Sequence, residues 1–245
     1  MHPRLDPESR YGLRLTLFAV ALLLAAVPFG ILLEQVVRTG PLLDVDHGVA
    51  VRVHEYVTRH DALRVAARAV TALGGPLALY PLGAAATAWI LRKGRRRLAF
   101  YVAVTGLGGA LLNSVVKLLV ARPRPVFEVP LAHALGKSFP SGHAMASTVV
   151  YGALLLAFLP ALRRRGLARA ATAGTVALVL AIAASRVALG VHFLSDVAGG
   201  ITLGVAWLCA STAAFRVWRT DRGAPPAPLE EGADPGAARL LSGSA

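Results

Sequence analysis

The sequence predicts an all-α integral membrane bundle of six transmembrane helices, with both termini cytoplasmic, and three observations carry that expectation. Of the 245 residues, 56% are hydrophobic, and the mean hydropathy of +0.59 is far too high for a soluble domain of this size. Six apolar runs each approach the roughly 20 residues that a helix needs to cross a hydrocarbon core. Lys and Arg are gathered into short clusters between those runs. A formal charge of +13 can signal nucleic acid, but such a site needs its cations on one face among polar or aromatic neighbours. Sorted between apolar spans, they instead fit cytoplasmic loops against anionic headgroups, so the bilayer is the expected partner and nucleic acid is not.

Taken in order, residues 1–14 are a cytoplasmic N-terminal segment, 15–215 the membrane domain and 216–245 a tail. The first span, 15–33, is free of charge and tolerates Pro28 as a kink. It is longer than the apolar core of a cleaved signal peptide and lacks a fitting cleavage site, so it is expected to be a retained anchor. In the mixed-charge stretch 34–68, Val45, Val49, Val53 and Tyr56 or Val57 recur at helical spacing and predict a helix lying in the interface. His47, His54 and His60 fall in the same stretch. No two of them are four apart, so a solvated or headgroup-facing surface is expected there rather than a metal site.

The second span, 69–91, is entered through Gly74-Gly75-Pro76 and ends in the basic run 92–97. The third, 98–116, carries Gly106, Ala110 and Asn113 at a spacing that suits close helix packing. The fourth, 144–162, is followed by Arg163-Arg164-Arg165. A fifth span occupies 170–189 and a sixth 193–215, where Gly200 and Gly204 form a GxxxG pair expected to pack within the chain. Cys209, the only cysteine, excludes an intramolecular disulfide and is expected to be a small packing residue. From Arg216 the chain turns polar and rich in Pro, Gly and Ala, as a disordered tail does. An even number of spans puts both termini on one side. The basic residues of the N-terminal segment, 92–97, 163–165 and the tail assign that side to the cytoplasm, which leaves 117–143 and the turn near Arg186 facing outward.

Those two outward stretches hold polar groups that a purely structural bundle does not need, and ionisable groups at membrane depth tend to mark function. Lys117, Arg124 and Arg186 can surround a phosphoryl group, the guanidinium forks gripping oxygens in pairs and the ammonium acting as a point charge. Ser141 and the backbone N–H groups of Gly142 and His143 open the fourth span, where a helix N-terminus offers unpaired donors to an anion. Gly142 has no side chain to block that approach. His192 and Asp196 are four apart and share one face if the last helix has begun by then. Asp196 can accept the Nδ1 proton, leaving Nε2 of His192 free to attack phosphorus. Zinc held by His143, His192 and Asp196 is the opposing reading, and three neighbouring cations stand against it; no metal or cofactor is expected. Arg122 reads as a headgroup contact or an interfacial residue, Glu128, His133 and Lys137 as a solvated loop, and Ser185 as a cap or a partner for Arg186.

This order and spacing closely resembles the three-part signature of the type 2 phosphatidic acid phosphatase superfamily. KxxxxxxRP runs from Lys117 to Pro125, PSGH from Pro140 to His143, and SRxxxxxHxxxD from Ser185 to Asp196, with every motif position present. The resemblance implies His192 as the nucleophile that forms a phosphohistidine and His143 as general acid to the leaving oxygen and then base for water. It also implies a lipid phosphomonoester or diphosphate as substrate, with undecaprenyl diphosphate, phosphatidate and phosphatidylglycerol phosphate as candidates. A lipid phosphotransferase with the same intermediate is the nearest alternative. A non-catalytic phospholipid-binding or transport protein is another, which would not need both histidines and Asp196.

Overall fold

The computed structural model describes the backbone of residues 7–220 and the side chains of 19–215. The expectations for the first residues and for 221–245 lie outside the described residues. Among those described, the chain is helical without strands: α1 (Pro7–Val37), α2 (Leu42–Thr58), α3 (Asp61–Ala72), α4 (Pro76–Arg92), α5 (Arg96–Val120), α6 (Gly142–Arg164), α7 (Ala168–Ala188) and α8 (Leu194–Thr220). Six stretches are long and apolar enough to cross a membrane: Ala19–Val37, Asp61–Arg92, Arg96–Val120, Gly142–Arg164, Ala168–Ala188 and Leu194–Phe215. The last helix continues to Thr220, past the boundary expected at 215.

Two elements differ from expectation. The second span begins at Asp61 and is broken in its middle, because Gly75 is extended and Pro76, which lacks an N–H, starts a new helix. The helix expected in the interface is α2: Val57 is buried and Val49 and Val53 pack against the core as the spacing predicts, but Val45 is 52% exposed and the buried face also takes in Asp46, Ala50 and His54. Where lipid replaces water, apolar side chains have no need to point inward, and the polar ones do. The outer surface shows the same inversion, with Leu118 and Leu119 at 77% and 79% exposure.

Helix α8 is central, packed against α1 on one side and α6 on another, and α6 also packs on α5 and α7. The GxxxG pair makes the α6–α8 contact: a methyl at Gly200 would stand 2.6 Å from the Ser141 carbonyl oxygen, and one at Gly204 would stand 2.9 Å from Thr148 Cβ. Deeper in the bundle, Tyr101 Oη and Thr212 Oγ1 lie 2.9 Å apart and the Trp207 indole donates to the Thr105 carbonyl at 2.8 Å, satisfying polar groups that lipid cannot. Short turns join α6 to α7 and α7 to α8, and Lys117 in the last turn of α5 lies beside Gly142 at the start of α6, so α5 to α8 alternate in direction. The C-terminal ends of α5 and α7 therefore meet the N-terminal ends of α6 and α8 at one end of the bundle, where the long segment 121–141 also runs. The basic turns after α4 and α6 lie at the other end.

Candidate active site

The site is built on the turn between α7 and α8. Gly190 takes φ +69° there, and a Cβ would come within 3.0 Å of both His54 Nδ1 and Phe127, so conformation and space both require glycine. The chain then places His192 just before α8 and Asp196 in its first turn. One Asp196 oxygen accepts the Phe193 N–H at 2.8 Å, as an acidic residue at the third helical position does for the cap residue. The same oxygen lies 3.3 Å from His192 Nδ1.

The other ring nitrogen fixes the tautomer. Arg124 Nη1 donates to His192 Nε2 at 3.0 Å and to the Val191 carbonyl at 2.7 Å. A guanidinium has no acceptor, so Nε2 presents its lone pair and the proton sits on Nδ1, facing Asp196. Burial lowers the His192 pKa to about 4, with Asp196 opposing the shift and Arg124 and Arg186 adding to it. The ring is therefore neutral near pH 7. The rest of the Arg124 fork is held by the carbonyls of Gly136 and Leu135, at 3.0 and 3.1 Å.

The expected phosphate ligands converge from three helices. The cations close enough to act on His143 are Arg186, Arg124 and Lys117, with the His192 ring beside them, which brings α5, α6, α7 and segment 121–141 into one cluster. A Cβ on Gly142 would lie 3.8 Å from Lys117 Cε, so the lysine stem runs beside the start of α6. Its ammonium donates to the Lys137 carbonyl at 2.7 Å. Ser141 is the N-cap of α6, yet its hydroxyl makes no capping bond, is fully buried and has no partner; Arg186 Nε is buried and unpartnered as well. Two orphaned polar groups beside the free N–H groups of a helix start form a cradle suited to a tetrahedral anion. Arg186 Nη1 donates to Thr71 Oγ1 at 2.8 Å, and a Cβ on Gly75 would lie 3.5 Å from His143 Nε2, so the break between α3 and α4 forms one wall. No group of three or more His, Cys, Asp or Glu able to hold a metal occurs among the described residues.

Several expectations are corrected here. Arg122 is not a headgroup contact: it is 6% exposed and donates to Asp196 Oδ1 at 2.7 Å and to Asp46 Oδ2 at 2.8 Å. His54 is not solvated but buried, its ring stacked on Phe127 at 3.8 Å between centroids. Ser185 is not a partner for Arg186, since its hydroxyl donates to the Ile182 carbonyl at 2.6 Å. Glu128, His133 and Lys137 are exposed, as a solvated loop requires. The sequence reading missed Asp46, Thr71, Ser138 and Ser195. Ser138 donates to Asp196 Oδ2 and lies 3.4 Å from His192 Nδ1, while Ser195 accepts from Arg122 at 2.7 Å and donates to Asp46. A signal for Arg122 was present in ARPRP. The residue before each proline is pushed to extended backbone, and residues two apart on an extended chain share a face.

Known proteins resemble the chain in both sequence and structure. A stretch of 98 residues, 39% of the chain, is 44% identical to phosphatidylglycerophosphatase B of Bacillus subtilis (strain 168). The matched region spans 47% of that relative's length. The crystal structure of a transmembrane PAP2-type phosphatidylglycerolphosphate phosphatase from Bacillus subtilis superposes with a TM-score of 0.70 at 27% identity, covering 78% of this chain and 94% of that one. The family model described as PAP2 superfamily matches residues 97–220, half of the chain and every one of the three motifs. By that match the chain belongs to the PAP2 superfamily.

Proposed function

We propose that the chain is a multi-pass membrane phosphatase that hydrolyses a phosphomonoester or diphosphate on a lipid through a phosphohistidine on His192. The observation that carries this reading is the bond from Arg124 to Nε2 of His192, which leaves a neutral ring with its lone pair toward the cation cluster. A phosphoryl group entering beside Lys117, Arg124 and Arg186 takes over the Arg124 donor, and Nε2 attacks phosphorus in line with the leaving oxygen. As the N–P bond forms and the P–O bond breaks, the ring becomes cationic and Asp196 stabilises it through Nδ1–H. His143 in its protonated form, which the negative charge of a bound phosphate favours, gives its proton to the leaving oxygen. Water then attacks the phosphohistidine, His143 takes a proton from it, the N–P bond breaks and phosphate leaves. Charge stabilisation by three cations and the start of α6 does the work that a metal does elsewhere.

The lipid tail stays in the bilayer while the headgroup reaches the site. The names of the Bacillus subtilis matches support phosphatidylglycerol phosphate as the first candidate to test, ahead of phosphatidate and undecaprenyl diphosphate. The sorting of Lys and Arg into the turns at the opposite end of the bundle supports a site on the extracytoplasmic side of the cell membrane, with both termini inside. The test is phosphate release in detergent from a panel of these lipids, with chelator present throughout. Wild type is expected to release phosphate, and His192→Ala and His143→Ala to lose release by at least about a thousandfold while keeping their Tm. Wild-type-like turnover in either variant overturns the mechanism, and release only on adding a lipid acceptor indicates transfer instead.

A further inference from the structure

Behind the His192–Asp196 pair lies a second layer of buried charge that enters through α2, outside the family match. Arg122 stands between two carboxylates, Asp196 and Asp46, which are both fully buried. Its guanidinium also lies over the Phe193 ring, 4.2 Å from the centroid, which holds its plane. Asp46 is bound in turn to α8: Oδ1 accepts the Ser195 N–H at 2.9 Å, and Oδ2 accepts the Ser195 hydroxyl as well as Arg122. Asp46 thus caps α8 from another helix and fixes the cation that holds Asp196.

We infer that Asp46 and Arg122 are positioning residues that set how much of the Asp196 charge reaches His192. The inference rests on the phosphatase reading above. Arg122 occupies Asp196 Oδ1 and leaves Oδ2 for His192, Ser138 and the Phe193 N–H. An unopposed guanidinium in contact with Asp196 would cancel most of its field at the ring; Asp46 offsets that cation, so the three groups together carry one negative charge. That charge stabilises the imidazolium formed as Nε2 bonds to phosphorus.

The other charged and titratable groups around His192 and its supports are Arg124 from segment 121–141, Arg186 from α7, His143 from α6, Lys117 from α5, and His54 and His47 from α2, the first against Gly190 and the second against Phe193. The side-chain bonds of Asp46 go to Arg122 and Ser195 and to none of these groups, so a change at Asp46 reaches His192 through Arg122 and Asp196.

The experiment compares Asp46→Asn, Arg122→Gln and the double variant with wild type by the pH profile of kcat/KM and by kcat and KM at the optimum, with Tm measured on each preparation. Asp46→Asn makes the trio neutral. It is expected to move the acid limb down by about one pH unit and to lower kcat about tenfold, with KM within about twofold, because the phosphate ligands are untouched. The double variant restores one net negative charge and is expected to return the limb to the wild-type position. Arg122→Gln moves the limb upward and decides the matter should Asp46→Asn not fold. A limb that stays at the wild-type pH in both single variants, or in the one that folds, overturns the inference whatever happens to Tm. Absence of phosphate release by wild type itself overturns the parent reading instead.

Discussion

Replacing Gly200 with alanine tests whether the contact between α6 and α8 sets the geometry of the site. The added methyl would lie 2.6 Å from the Ser141 carbonyl oxygen, 3.0 Å from Ala144 Cβ and 3.1 Å from Met145 N. Two of these are backbone atoms in the first turn of α6, so no rotamer change relieves the contact and the helices must separate. Overpacking of this kind costs about 1–3 kcal/mol, which lowers Tm by roughly 2–10 °C in a protein of this size. The Ser141 N–H bonds the Asp196 carbonyl at 2.9 Å across the same gap. Separation therefore moves the start of α6, with Gly142 and His143, away from His192. A shift approaching 1 Å between reacting groups costs about a hundredfold in rate. Phosphate release and thermal unfolding should be measured on the same detergent preparation, with Gly174→Ala as control because a methyl there meets nothing within 4 Å. A Gly200→Ala protein with wild-type kcat and Tm would refute the link between this contact and the site.

Two further perturbations address the cation cluster and the buried histidine. Thr71→Val keeps the shape of the wall but removes the oxygen that accepts from Arg186 Nη1. A bond to a charged group contributes about 1.5–3 kcal/mol, so KM for the lipid phosphate should rise roughly tenfold with kcat little changed, and an unaltered KM would show that Arg186 is held by other means. His192 is buried neutral, its pKa falling to about 4 from an ordinary 6.5. Between those values the unfolded chain binds more protons than the folded one, so stability rises with pH across that window and is lost as pH falls through it, by about 3 kcal/mol in total. Burial also lowers the His54 pKa, against the opposing hydrogen bond to the Val129 backbone, and its contribution has the same sign. Denaturant midpoints from pH 4 to 8 that stay flat, or rise toward acid, would contradict a neutral buried His192.

The parts of the site legible in the sequence are those whose chemistry dictates residue type and spacing together. Lys117, Arg124, Ser141, His143, Arg186, His192 and Asp196 stand in three short motifs, and the structure brings them to one end of the bundle. The spans were legible because a helix crossing lipid must be apolar over its whole length, whatever it packs against. That same property hides part of the interior: in α2 the spacing finds Val49, Val53 and Val57 but not the neighbouring buried Asp46, because Val45 can face lipid while Asp46 cannot. Asp46 has no local pattern to mark it. Its partner is Arg122, beyond three intervening helices, and only the folded chain pairs them.

Three of the groups that complete the site therefore come from outside the residues that identify the family. The match covers 97–220, whereas Asp46 lies on α2, Thr71 on α3 and Gly75 at the start of α4. Within 97–220 alone, Arg122 would keep one carboxylate of its two, Arg186 would lose its hydroxyl acceptor, and the wall beside His143 would be missing. A buried guanidinium left with Asp196 and the Ser195 hydroxyl but no partner for Nη2 is costly, so α2 and the α3–α4 break are part of what makes the motif residues tolerable in the buried interior. In the proposed reaction the motifs supply the reacting groups, and α2 with the α3–α4 break supplies the surroundings that hold their charges in place.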